Sequence, residues 1–200
     1  MTQDWLLVET LGAEPAVVAE GGQHTRNLVP VSAFLRRNPN LMAVQTAINE
    51  TVRAGKPLSS LTPPKSDRVI RTEVVQMTDG RIHGVHVWVG PLDEDPPDRV
   101  LPGPLKWDLT NGIATDTPES LMNSGLDPHH RGHPGSSLRR GPALAEPQPG
   151  RGPVLAVAIK PEAGRTFCST WDIEDYKGKQ ITVGFAAGCS RKPTRPVGSG

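Results

Sequence analysis

No run in this chain approaches the ~20 consecutive apolar residues that a bilayer-spanning helix requires. The opening MTQDWLLVET also lacks a basic segment followed by a long apolar one. These absences predict no membrane partner and a cytoplasmic address. Cysteine is scarce: Cys168 and Cys189 stand alone, too few for a disulfide framework and too far apart for a CxxC metal or redox motif. Charge of one sign is lacking as well. With 22 Lys and Arg against 21 Asp and Glu, the net charge is +1, so no general field attracts nucleic acid, and none is expected as a partner.

The short motifs of catalysis are missing too: there is no GxGxxG after a strand, no GxxxxGKS or GxxxxGKT, no HExxH and no GxSxG elbow. Acidic runs at Asp93–Asp95 and Asp172–Asp175 fall in a proline-rich stretch and beside a hairpin turn, where solvation explains them. The chain is therefore read as not an enzyme, with no catalytic residue, no cofactor and no metal site.

What is present is a soluble pattern of 36% hydrophobic residues over 200 positions, enough for one ordinary domain and part of another. Glycine and proline number 21 each, and most of the excess lies after residue 90. Asp4–Gly12 and Pro15–Gly22 read as two short strands. Ser32 is the expected cap of a short helix, and Asn38 before Pro39 the expected start of a longer one, whose apolar stripe is Leu41, Val44, Ile48 and Val52 and whose stop is Gly55.

The β-rich stretch RVIRTEVVQMTDGRIHGVHVWVGP, residues 68–91, reads as a hairpin. With Asp79 and Gly80 in a type I′ turn, Ile70, Thr72 and Val74 oppose Val89, Val87 and Val85 on one face. Arg71, Glu73, Val75 and Met77 then oppose Trp88, His86, Gly84 and Ile82 on the other. The first face points to the helix stripe, so Leu41, Val44, Ile48, Ile70, Thr72, Val74, Val85 and Val87 are the candidate wall of a small-molecule pocket. The second face (Arg71, Glu73, Val75, Met77, Ile82, His86 and Trp88) is the candidate docking surface for a partner domain or a second copy in a homodimer. On it, Glu73 and His86 are expected to form a charge-assisted pair, and Arg71 and Trp88 a cation–π pair. His83 and His86 fall on opposite faces and cannot share a metal ion.

The domains follow from composition: a first domain at 1–91, a proline-rich linker at 92–104, and a β-rich unit at 105–187 that contains PVLAVAIKP and a hairpin around DYKGK. An insert at 127–153 and a tail at 188–200 are rich in Arg, Pro and Gly without apolar periodicity, the pattern of disorder or of GC-rich codons read in a shifted frame. His129, His130 and His133 lie in that insert and are read as a solvated loop. Its arginines are too dispersed, and too free of aromatics, for a nucleic-acid footprint.

The segments DWLLVETLG, VPVSAFLRRNP, DRVIRTE, DGRIHGVHVW, GPLKWDLT and ATDTPESL, with KPEAGRTFCSTWDI and ITVGF further on, resemble the N-terminal portion of an uncharacterised mycobacterial and actinobacterial family with a PAS-GAF-PAS arrangement. The resemblance covers residues 4 to about 126 and resumes over 154–187. It implies an α+β fold: a PAS-like antiparallel sheet with helices on one face, followed by an incomplete GAF-like β-rich unit. It also implies a sensory or regulatory role and carries over no catalytic motif. The expected function is thus a non-catalytic signalling module that binds a small molecule or docks a protein. A small hydrolase or nucleotide phosphodiesterase is the alternative, and would need His24, His83 and an acid such as Asp79 or Asp116 to converge. A truncated or frame-shifted fragment without independent activity is the third reading.

Overall fold

The computed structural model describes residues 4–62, 68–108, 110–111, 113–126, 136–137 and 162–190. Six strands form the first sheet: β1 (Leu6–Glu9), β2 (Ala16–Glu20), β3 (Gln23–Pro30), β4 (Leu58–Leu61), β5 (Arg68–Gln76) and β6 (Ile82–Pro91). Their order is β3-β2-β1-β6-β5-β4, every pair antiparallel. Between β3 and β4 the chain turns through α1 (Val31–Phe34) and α2 (Leu41–Ala54), which pack on one face of the sheet. The core lies there: Val8, Val17, Val85 and Val87 meet Val31, Val44, Ala47 and Ile48.

Helix α2 buries Val44, Ala47, Ile48 and Thr51, whereas Val52, expected in the stripe, is exposed. At ~3.6 residues per turn Thr51 falls within about 20° of Val44 around the axis and Val52 about 80° away, so the hydroxyl takes the core position. It is satisfied there, with Thr51 Oγ1 2.6 Å from Thr72 Oγ1 on β5. Gly55 stops the helix in the left-handed region at φ 63°, its N–H donating to Thr51 O at 2.9 Å. The helix begins later than expected, because Asn38 Oδ1 accepts from Asn40 N at 2.9 Å and forms a turn that precedes Leu41. Pro39 is therefore outside the helix. Ser32 caps nothing; it lies inside α1 and donates to Glu14 Oε1 at 2.7 Å.

The β5–β6 register is as expected from Ile70↔Val89 to Val75↔Gly84, but its turn differs. Gly80 N donates to Met77 O and Met77 N to Arg81 O, both at 2.9 Å. Gly80 has φ 84°, and among the described residues no non-glycine residue has positive φ. A type I′ turn would demand positive φ at Asp79 as well, so this loop is Thr78–Gly80, a type I turn closed by a left-handed glycine. The longer loop slips the register by one residue, pairing Gln76 with Ile82, and a bulge at His83 restores it by Val75↔Gly84.

Beyond residue 104 a three-stranded sheet, β7 (Leu105–Asp108), β8 (Ile113–Asp116) and β9 (Ser136–Ser137), runs in the order β7-β8-β9. Helix α3 (Pro118–Asn123) starts as its sequence demands, with Thr117 Oγ1 accepting from Ser120 N at 3.2 Å and Pro118 in the first turn. A long hairpin, β10 (Thr166–Glu174) and β11 (Gln180–Gly188), turns through Asp175–Lys179 with the same bonding pattern as the first. The described chain is thus a sheet-rich α+β fold, as expected. PVLAVAIKP, the three histidines at 129, 130 and 133, all of the 127–153 stretch but Ser136 and Ser137, and positions 191–200 of the tail lie outside the described residues.

Candidate functional site

The face of the sheet opposite the helices carries Trp88, Met77, Val75 and His86, which are buried. Residues 92–104, expected as a spacer, run over this face as a strap. Residues of the sheet and of the strap itself fix it in place. Trp5, at the start of β1, donates from Nε1 to Pro97 O at 2.7 Å and clusters with Val69 and Trp88. Arg99 stacks its guanidinium over the Trp5 ring at 5.7 Å and pairs with Glu73 at 3.6 Å. Arg71, over the Trp88 ring at 5.7 Å as expected, also bonds Asp95 at 2.9 Å. The Trp88 indole itself is folded along β6 onto Gly90, where any side chain would collide with its six-membered ring.

The expected Glu73–His86 charge pair does not form. The two residues face each other across the strands, but Glu73 turns to Arg99. His86 meets Trp5 edge-on at a centroid distance of 6.0 Å. Burial, and then the Arg99 charge, push its pKa down to about 4 against a hydrogen bond with the Val100 backbone, so the ring is neutral near pH 7. Glu9, on β1, is 5% exposed. Its Oε2 accepts from Leu11 N at 2.7 Å and Gly12 N at 3.0 Å, while Oε1 has no partner. Desolvation raises its pKa over the opposing pull of those two amides.

Of the residues proposed to wall a ligand pocket, Val44, Ile48, Ile70, Val85 and Val87 lie in one core cluster and Leu41 packs against it. Thr72 is buried beside Thr51 and also accepts from Leu58 N at 3.1 Å. Val74 is half-buried. Two depressions lie to either side of this core. One, of about 240 Å³, sits on the outside of α2 between Pro15, Val31, Met42, Gln45 and Ile48. The other, of about 280 Å³, opens beside the strap between Val75, Gln76, His86, Arg99, Pro102 and Glu119.

Among the described residues the second unit meets the first in several places. The His24 ring on β3 lies against Gly184 of β11, and Cys168 Sγ on β10 approaches Arg26 O at 3.9 Å. Gly12 faces Thr166, and Gly188 faces Leu11. At the β5–β6 turn, Lys106 of β7 bonds Asp79 at 2.6 Å and Arg81 bonds Ser190 at 2.9 Å. The Lys106 contact holds the Asp79 carboxyl below its ordinary range. The residues an active site would have needed are thereby distributed: His24 is at the β3 edge, His83 lies beside Asp79, Arg81 and Lys106, and Asp116 accepts from Ser120 Oγ at 2.9 Å. Among the described residues no three His, Cys, Asp or Glu side chains are grouped as a metal site would require, and no described helix is long and apolar enough to cross a membrane.

Sequence reasoning found Arg71, Glu73, His86 and Trp88 but missed Trp5, Asp95, Pro97 and Arg99. The available signal was charge order: the strap reads Asp95 then Arg99, and β5 presents Arg71 then Glu73.

A family model described as Rv3651-like, N-terminal, matches residues 4–98, and one described as Rv3651-like, middle domain, matches residues 101–196. Their junction falls inside the strap, leaving Asp95 and Pro97 with the sheet they cover. No curated protein matches. A crystal structure of an uncharacterised protein from Mycobacterium tuberculosis is similar over 98% of this chain at 54% identity, with a TM-score of 0.89. This chain spans 60% of the length of that one. With N-terminal and middle-domain models matched in order along it, the chain belongs to the Rv3651-like family.

Proposed function

We propose that this chain is a non-catalytic regulatory module whose sheet docks other segments on its outer face and couples their order to one another. The observation that carries this reading is the clamp on the strap: Trp5, Arg71 and Glu73 of the first unit each hold a residue of 92–104, and the strap leads directly into β7 and the rest of the second unit. Docking is favoured over small-molecule capture because Val44, Ile48, Ile70, Thr72, Val85 and Val87, the heart of the proposed ligand wall, are each no more than 1% exposed and packed into the core. A signalling role fits such a coupling, since a ligand or partner that shifts one unit changes the contacts available to the other.

Hydrogen exchange on the intact chain tests it. Arg99→Ala removes the Glu73 pair and the stacking on Trp5, and is expected to speed exchange in β10 and β11 as well as around the strap, with α2 unchanged. Exchange that rises at the strap alone would show that the units are not coupled, and the reading would fail.

A further inference from the structure

The strap is held as a bound peptide is held. Among the described residues, apart from a turn bond from Glu94 N to Pro91 O at the end of β6, its polar contacts to the sheet run through side chains: an indole N–H to Pro97 O, two ion pairs, and His86 to the Val100 backbone. No backbone ladder joins it to β5, β6 or β1. Pro96, Pro97, Pro102 and Pro104 lack the N–H a ladder needs, whereas their carbonyls remain acceptors and their φ is fixed in advance. An aromatic floor, an indole donor aimed at a proline carbonyl, and a stiff proline-rich occupant are the parts of polyproline recognition. Direction is also specified. Arg71 takes Asp95 and Glu73 takes Arg99, so a segment running the other way would set like charges together.

We propose that the Trp5–Trp88 face is a recognition groove for an acidic, proline-rich peptide segment, occupied in the free chain by its own strap. This rests on the reading of the outer face as a docking surface and names what docks there. The Arg71–Asp95 pair is solvent-exposed, with Asp95 92% exposed, and the Arg99–Glu73 pair is partly exposed on both sides, so the two contribute only modestly to holding the strap. The covalent connection does most of it: a tethered segment acts at an effective concentration of roughly millimolar, which a free competitor must exceed. A segment with prolines flanked by an acid and a following arginine on another protein has the same groups to offer, and gains the groove when the strap is loosened.

The probe is a fluorescent synthetic peptide of residues 92–104, titrated into the intact chain and into a chain carrying Asp95→Ala and Arg99→Ala. Those changes weaken the strap and leave Trp5, Arg71, Glu73 and Trp88 in place. Binding to the double variant is expected to be at least about tenfold tighter than to the intact chain. Adding Trp5→Phe should abolish it, and a peptide with its aspartate and arginine at 95 and 99 exchanged should lose about tenfold. Equal binding to both chains, or indifference to the charge exchange, overturns the proposal. So does tryptophan emission unchanged in the double variant, because the strap then stays seated without these contacts. Each of these failures leaves the docking reading to its own test, the exchange rates of β10 and β11 in Arg99→Ala.

Discussion

His86 and Glu9 sit on the same face of the sheet and answer pH in opposite directions. The His86 pKa falls from 6.5 to about 4 in the folded chain. The unfolded chain therefore takes up a proton as pH drops below 6.5 while the folded chain does not, and stability declines across that window by up to about 3 kcal/mol. Glu9 is raised from 4.5 by burial; its contribution is complete below that value and is lost as pH rises through the raised one. Chemical denaturation between pH 4 and 7 should show His86→Phe flattening the acid decline and Glu9→Gln steepening it, because the latter removes the opposing slope. Parallel pH profiles for all three chains would show that neither group titrates with folding. The position of His86 opposite Glu73 was readable by counting along a hairpin. Its neutrality was not, since that follows from Trp5 and Arg99, which approach from outside the hairpin.

At the scale of elements, β1 and β6 are set by one missing side chain. A Cβ at Gly84 would stand 2.6 Å from the Val8 carbonyl oxygen, backbone that cannot swing aside. Gly84→Ala should therefore pry the central strands apart and lower stability by about 1–3 kcal/mol, read as a shifted urea midpoint. Gly80→Asn, in a left-handed turn position that asparagine tolerates, should shift it far less. Equal midpoints for the two variants would place Gly84 somewhere other than against β1. The same comparison explains which elements were legible. β5, β6 and α2 announce themselves by period, because each buries one face and exposes the other. β3 and β4, written QHTRNLVP and LSSL, were not recognised, because they are the sheet's edges: they bury little, and polar residues suffice where no neighbour covers them.

Over the whole molecule, the six-stranded sheet is covered by helices on one side and by the strap on the other. The two covers differ in kind. Helix α2 is held by apolar burial, which salt leaves largely alone, and the strap by ion pairs open to solvent in part, the Arg99 stack on Trp5 and one indole bond. Raising ionic strength from 0.1 M to 1 M shortens the screening length from about 10 Å to about 3 Å. It should speed protease cleavage within 92–104 while the thermal midpoint stays within a few degrees. A midpoint that drops in step with cleavage would mean that strap and sheet are a single cooperative unit.

Local rules written in the amino-acid order were enough for the valine rows, the β5–β6 pairing from Ile70 to Val75 and the helix stop at Gly55, since each depends on a few neighbouring side chains and on backbone sterics; the loop type of the first hairpin was not among them. Tertiary structure alone decided that a stretch with the composition of a linker is a cover. A proline-rich segment looks the same whether it spans solvent or lies on tryptophan. Its seat was fixed by Trp5, Arg71 and Glu73, residues distant in the chain that the sheet's strand order gathers beneath Asp95, Pro97 and Arg99.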